Sequence, residues 1–93
     1  MAVAGACAFP LAGHARDLYV EVAPPPPPHE EVLVPRHGYV VVPGYYRWDA
    51  PHHRHVWVRG HYVHERRGER YVAPRWHEDG DRYRFEDGHW ERG

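Results

Sequence analysis

An aromatic-glycine unit recurs four times between Tyr39 and Trp90, and a chain built this way folds as short strands separated by turns. The copies read Tyr39-Val-Val-Val-Pro-Gly-Tyr-Tyr46, His55-Val-Trp-Val-Arg-Gly-His-Tyr62, Tyr71-Val-Ala-Pro-Arg-Trp76 and Tyr83-Arg-Phe-Glu-Asp-Gly-His-Trp90. Internal repeats outrank local propensity as a fold signal, because each copy is one supersecondary unit. Of the 13 aromatic residues, all but Phe9 and Tyr19 fall in this stretch.

The pattern predicts an all-β domain, a four-stranded antiparallel meander over residues 39–92. Strand one is Tyr39 to Trp48, with a bulge or bend at Pro43-Gly44. Strand two runs from Arg54 to His64 after the Asp49–His53 loop. Strand three is Arg70 to His77, and strand four is Arg82 to Glu91. Gly68 supplies positive φ between strands two and three. Asp79-Gly80 is the best hairpin signal in the chain. A two-residue Asp79-Gly80 loop pairs His77 with Arg82 and Trp76 with Tyr83, an aromatic pair worth roughly 0.2–1 kcal/mol. It also opposes Arg75 to Arg84, a like-charge conflict that Glu86 or a register shift must relieve. Pairing Glu65 with Arg70 sets Val63 opposite Val72. The expected core is Val40, Val42, Tyr46, Trp57, Val63, Val72, Trp76, Tyr83 and Phe85. Strands one and four are the expected sheet edges.

Ahead of the repeats lie two further segments. Residues 1–15 resemble a signal peptide, with an apolar run and Gly13-His14-Ala15 before the first charges at Arg16-Asp17; the basic start of such a leader is missing. Cys7 is the single cysteine, so cleavage after Ala15 would leave a chain without disulfides. Residues 16–38 form an extended arm. Arg16 to Val22 alternates like a short strand, and Pro24 to Pro28 favours a stiff polyproline spacer. With little apolar surface to bury, this arm is expected to be dispensable, so that truncation before residue 36 leaves the fold intact. No stretch approaches the ~20 apolar residues of a membrane span.

The copies Pro43-Gly-Tyr-Tyr-Arg-Trp48, Trp57-Val-Arg-Gly-His-Tyr62 and Phe85-Glu-Asp-Gly-His-Trp90 resemble the WXXGXW, or YXWGXW, repeat of small exported bacterial envelope proteins. The third copy departs: Pro74-Arg75-Trp76 lacks a glycine and looks one residue short. The resemblance implies a signal peptide, export to the periplasm or outer envelope, and no established catalytic activity.

Composition narrows the chemistry. The sequence has no Ser, Thr, Asn, Gln, Ile or Lys. Hydroxyl nucleophiles, Schiff-base lysines and phosphate-loop lysines are therefore excluded. The expectation is a non-enzymatic protein without a resident cofactor, acting as a structural or interaction module through its aromatic sheet. Tyr45, Tyr62 and Trp90 are the candidate interaction residues. Self-association, an envelope protein and the cell wall are the candidate partners. The formal net charge of −1 with His neutral argues against nucleic acid. A second class is a periplasmic Zn, Ni or Cu binder using His52, His53, His55 and His61, since neutral imidazoles suit those metals. No ligand spacing here matches a structural zinc site, and ten His residues in the chain also read as compositional bias. A third class is glycan binding by Trp and Tyr faces.

Overall fold

The computed structural model describes residues 17–93, so the leader-like segment and Cys7 lie outside the described residues. The chain is all-β, with nine short strands: β1 Leu18–Val20, β2 Tyr39–Val42, β3 Tyr45–Asp49, β4 Arg54–Val58, β5 His61–His64, β6 Glu69–Val72, β7 Arg75–Asp79, β8 Arg82–Glu86 and β9 His89–Arg92. All pairings are antiparallel: β2 with β5, β3 with β4, β6 with β9, and β1 and β7 on either side of β8.

These ladders assemble into two long hairpins. In hairpin one, Tyr39 faces His64 and Asp49 faces Arg54 in a single register. Pro43-Gly44 stand opposite Arg59-Gly60 with no residue inserted, so the interruption is a bend and not a bulge. Pro43 has no N–H to give to a ladder, which is reason enough for the pairing to lapse there. Hairpin two repeats this design. Glu69 faces Arg92 and Asp79 faces Arg82 in one register, and Ala73-Pro74 stand opposite Asp87-Gly88.

The true repeat is therefore one whole hairpin, and the four aromatic-glycine copies are its arms. Each hairpin opens on the same turn. Tyr39 N–H donates to the Arg36 carbonyl at 3.1 Å, and thirty residues later Glu69 N–H donates to Arg66 at 3.0 Å. The third residue of each turn is glycine, Gly38 at φ 84° and Gly68 at φ 74°, as a type II turn requires. Arg36 lies over Tyr62 at 5.1 Å and Arg66 over Trp90 at 4.8 Å, so the cation–π closure of the hairpin recurs as well.

The meander is broken in the middle. Strands two and three do not pair, and neither Glu65–Arg70 nor Val63–Val72 forms. Glu65 N–H extends hairpin one, bonding the Gly38 carbonyl at 3.0 Å, while Gly93 N–H extends hairpin two to Gly68 at 2.9 Å. The turn at Arg66–Glu69 is thus the start of a new hairpin and not a link within a sheet. Nor is strand four an edge throughout, because β1 covers its first half, β8.

The Asp79-Gly80 loop also moves by one residue, and each cross-strand partner by two. Asp79 pairs with Arg82, His77 with Arg84 and Trp76 with Phe85. The loop is Gly80-Asp81, with Gly80 at φ 66°, the φ signature of a type II′ turn. Electrostatics accounts for the choice. The shift replaces the Arg75–Arg84 conflict with Arg75 opposite Glu86, whose side chains lie 3.8 Å apart.

The core is very small. Val42 is fully buried and Val20 is 7% exposed; Pro74 is buried too. The other expected core residues are half-buried. Val20 belongs to β1, so part of the core comes from the arm.

The two bends solve one packing problem in two ways. A Cβ on Gly44 would overlap the Trp57 ring. At the matching places, hairpin two has Pro74 for Gly44 and the smaller Phe85 for Trp57. The third copy is therefore not one residue short; its glycine is replaced because Phe85 leaves room. Gly88, matching Gly60, gives way to the Tyr71 hydroxyl, and its Cβ would stand 3.0 Å from Pro74. Gly44→Ala should cost about 1–3 kcal/mol through overpacking. In a Trp57→Phe background the same change should cost less than half as much, as urea unfolding of the four chains will show; equal costs in both backgrounds would refute the packing account.

Candidate functional site

Aromatic rings join the hairpins. The Trp76 indole N–H of β7 donates to the Tyr46 carbonyl of β3 at 2.8 Å. The His55 ring stands edge-on to Trp48 and to Trp76, 4.9 Å from each. Tyr45 stacks on Phe85 at 6.3 Å, and Tyr46 meets Trp57 edge-on at 4.9 Å. Such pairs add about 0.5–1.5 kcal/mol each beyond area burial, a large share for a domain with so few buried residues.

The arm lies against this cluster. His55 Nε2–H donates to the Val22 carbonyl at 2.8 Å, Tyr46 O–H to Pro26 at 3.0 Å and Tyr62 O–H to Val34 at 2.6 Å. The Glu30 carboxylate accepts from the Trp57 indole N–H at 2.8 Å and from Gly60 N–H at 3.4 Å. Upstream, Tyr19 of β1 carries the Arg82 guanidinium on its face at 4.1 Å. The expectation of a dispensable spacer overlooked this: prolines bury little surface but offer carbonyls, and the hairpin meets those carbonyls with donors.

The four histidines considered as metal ligands have separate partners. His52 Nδ1 lies 2.9 Å from Asp49 Oδ2. His53 is not on the strand but in the turn before it, at φ 52°, with its ring 5.0 Å from Trp48. His55 is held by the Val22 carbonyl, and its Nδ1 is buried without a partner. His61 Nδ1–H donates to the Arg59 carbonyl at 3.0 Å. His53 and His55 both stand edge-on to the Trp48 ring, at 5.0 and 4.9 Å. No group of three or more His, Cys, Asp or Glu among the described residues is placed to hold a metal ion.

His61 has a counterpart in His89, whose Nδ1–H reaches the Asp87 carbonyl at 2.9 Å. The Gly-His step of each hairpin thus ties its own ring to the carbonyl two residues back. That bond, followed by the Glu91 carboxylate 3.3 Å from Nε2, raises the pKa of His89. Glu86 lies 2.8 Å from His77 Nε2, and that bond holds its carboxyl below the usual range against the opposing effect of burial. At Asp49 burial pushes the carboxyl up, but His52 and Arg54 together bring it below its ordinary value. Burial raises the Tyr71 hydroxyl, aided by Tyr45 and Asp87.

Of the candidate interaction residues, Tyr45 is spent on Phe85 and Tyr62 on the arm and Arg36. Trp90 packs edge-on to Tyr71 at 5.0 Å with Arg66 over its face. All three are half-buried. Glu30 escaped the sequence reading, and only the recurrence of Trp57 and Gly60 in the motif hinted that their N–H groups act together.

Fold and site define an all-β protein of paired aromatic hairpins. The chain carries the WXXGXW repeat, whose family model matches two copies, over residues 36–61 and 75–91. No curated protein and no solved structure matches it.

Two outcomes follow. Removing residues 17–35 should lower the thermal midpoint and red-shift Trp57 emission, because Val20 is lost from the core and the Glu30 contacts no longer cover the indole; an unchanged midpoint would restore the spacer view. The pH dependence has a definite sign. Glu86 and Asp49, with lowered pKa values, contribute stability that is present above their ordinary values of 4.5 and 3.8 and lost as pH falls through the folded values. His89, with a raised pKa, contributes below its ordinary 6.5 and loses that contribution as pH rises through the folded value. Stability from these groups should thus be greatest between 4.5 and 6.5. Urea midpoints from pH 3 to 8 should show a shallower acid limb for Glu86→Gln than for the parent chain.

Proposed function

We propose that this protein is a non-enzymatic interaction module, exported to the periplasm or cell envelope, that works by associating with other chains through its hairpins. The observation that carries the reading is the contrast between edge and core. Outside the β1–β8–β7 sheet each strand pairs on one side only, while among the described residues just Val20, Val42 and Pro74 are buried. Unpaired strand edges beside half-buried aromatics favour strand addition. Export is supported by the signal-like composition of residues 1–15 and by the envelope setting that the repeat resemblance implies. No helix among the described residues is long and apolar enough to cross a membrane.

Light scattering at pH 7.5 and 5.0 tests association. Nine of the ten His lie beyond Ala15, and unperturbed imidazoles charge near pH ~6.5. The chain from Arg16 onward then gains up to nine positive charges in mild acid, and repulsion should loosen the assembly while the lowered Glu86 and Asp49 keep the hairpins folded. A monomer at both pH values, or tighter association in acid, would reject the reading. Cell fractionation with N-terminal sequencing of the recovered protein tests export.

A further inference from the structure

On the side of hairpin one that holds the arm, five groups donate hydrogen bonds to it. They are His55 Nε2–H, Tyr46 O–H, Tyr62 O–H, Trp57 Nε1–H and Gly60 N–H. A strand laid there would bring an N–H at every residue, and among these five groups only the two tyrosine hydroxyls and the alternative His55 tautomer could accept one. A proline-rich segment brings carbonyls without N–H groups, and a carboxylate brings acceptors alone. The arm matches on both counts. Its carbonyls at Val22, Pro26 and Val34 and its carboxylate at Glu30 fall at every fourth residue.

The carboxylate site is built by the repeat itself. Trp57 and Gly60 are the first and fourth residues of Trp57-Val-Arg-Gly-His-Tyr62, and both point an N–H at Glu30. Hairpin two lacks this pair. The Phe85 side chain has no N–H, and Gly88 N–H is taken by the Asp87 carboxylate at 3.1 Å. The arm's other side chains are barely read: Val32 is 92% and Val34 69% exposed. Beside the carboxylate site lies a cavity of about 310 Å³, walled by Glu30 and Leu33 of the arm and by Val41, Gly44, Trp57 and Gly60 of the hairpin among others.

We propose that hairpin one is a binding site for an extended, proline-rich peptide segment carrying one carboxylate. Residues 22–34 are its resident occupant, and a partner protein's segment of the same chemistry takes their place. This rests on the interaction-module reading and names the surface and the partner class.

The test uses the full chain and a synthetic peptide of residues 20–36. Glu30→Ala unlatches the chain's own arm and leaves all five donors. A tethered arm competes at an effective concentration in the millimolar range. Calorimetry should therefore find that the Glu30→Ala chain binds the peptide at least about tenfold more tightly than the unaltered chain does. A peptide with Glu30→Gln should bind about fivefold or more weakly, through loss of a charge-assisted bond. Adding Trp57→Phe to the chain should abolish that preference. No binding to a folded Glu30→Ala chain, or equal binding of both peptides, would overturn the proposal. Should Glu30→Ala fail to fold by near-ultraviolet circular dichroism, the Trp57 indole N–H resonance of the unaltered chain decides. Excess of the peptide carrying Glu30→Gln, which cannot rebuild the resident carboxylate bond, shifts it if the site is right; an unmoved resonance refutes the proposal. Either result leaves the light-scattering test of self-association untouched.

Discussion

The arrangement of this molecule depends on the Trp76 indole. No strand ladder among the described residues joins hairpin one to hairpin two. The join is the bond from Trp76 to the Tyr46 carbonyl, with the same indole lying against His55. An indole suits this place because it brings a broad apolar face and one donor, so it fills space and satisfies a backbone acceptor together. The matching residue in hairpin one, Tyr46, uses its hydroxyl outward, on the arm. One position of the repeat thus serves the hairpin junction in one copy and the arm in the other.

The arm completes the join from outside, by different physics at its two ends. Near the start, β1 adds to β8 as a third strand and buries Val20. Further along, side-chain donors hold carbonyls and one carboxylate without any ladder. A chain with so small a core cannot rely on burial alone, since ordering each residue costs about 1–2 kcal/mol of backbone entropy. Spreading the arm over both hairpins ties down two elements that share no ladder.

Much of this was legible in the sequence. The four long strands lie close to where alternation and turn residues put them, and of the bulge or bend expected at Pro43-Gly44 the register shows the bend. What failed was long-range. Arg36-His37-Gly38 and Arg66-Arg67-Gly68 repeat at an interval of thirty, but the smaller aromatic-glycine spacing drew attention from them, and so the Arg66–Glu69 turn was read as a link within one sheet. The Arg75–Arg84 conflict was legible, with Glu86 or a register shift as its relief, but the turn residues favoured Asp79-Gly80 and the Gly80-Asp81 loop was not singled out. Glu30 could not be found by pattern, because its partners lie 27 and 30 residues away and an acid after a proline run looks like solvated linker.

The two hairpins show how a degenerate motif diverges while keeping one backbone. Shrinking Trp57 to Phe85 frees the space that lets Pro74 stand where Gly44 does. The same exchange removes the indole donor, and Asp87 then takes the Gly88 N–H that Gly60 gives to Glu30. Packing and recognition are therefore linked through one residue. A copy that keeps Trp at the first position needs a glycine across from it and gains a carboxylate site; a copy with Phe gives up the site and accepts proline. In this chain the carboxylate site is therefore readable from two positions, the aromatic that opens the motif and the bend residue whose Cβ it would meet.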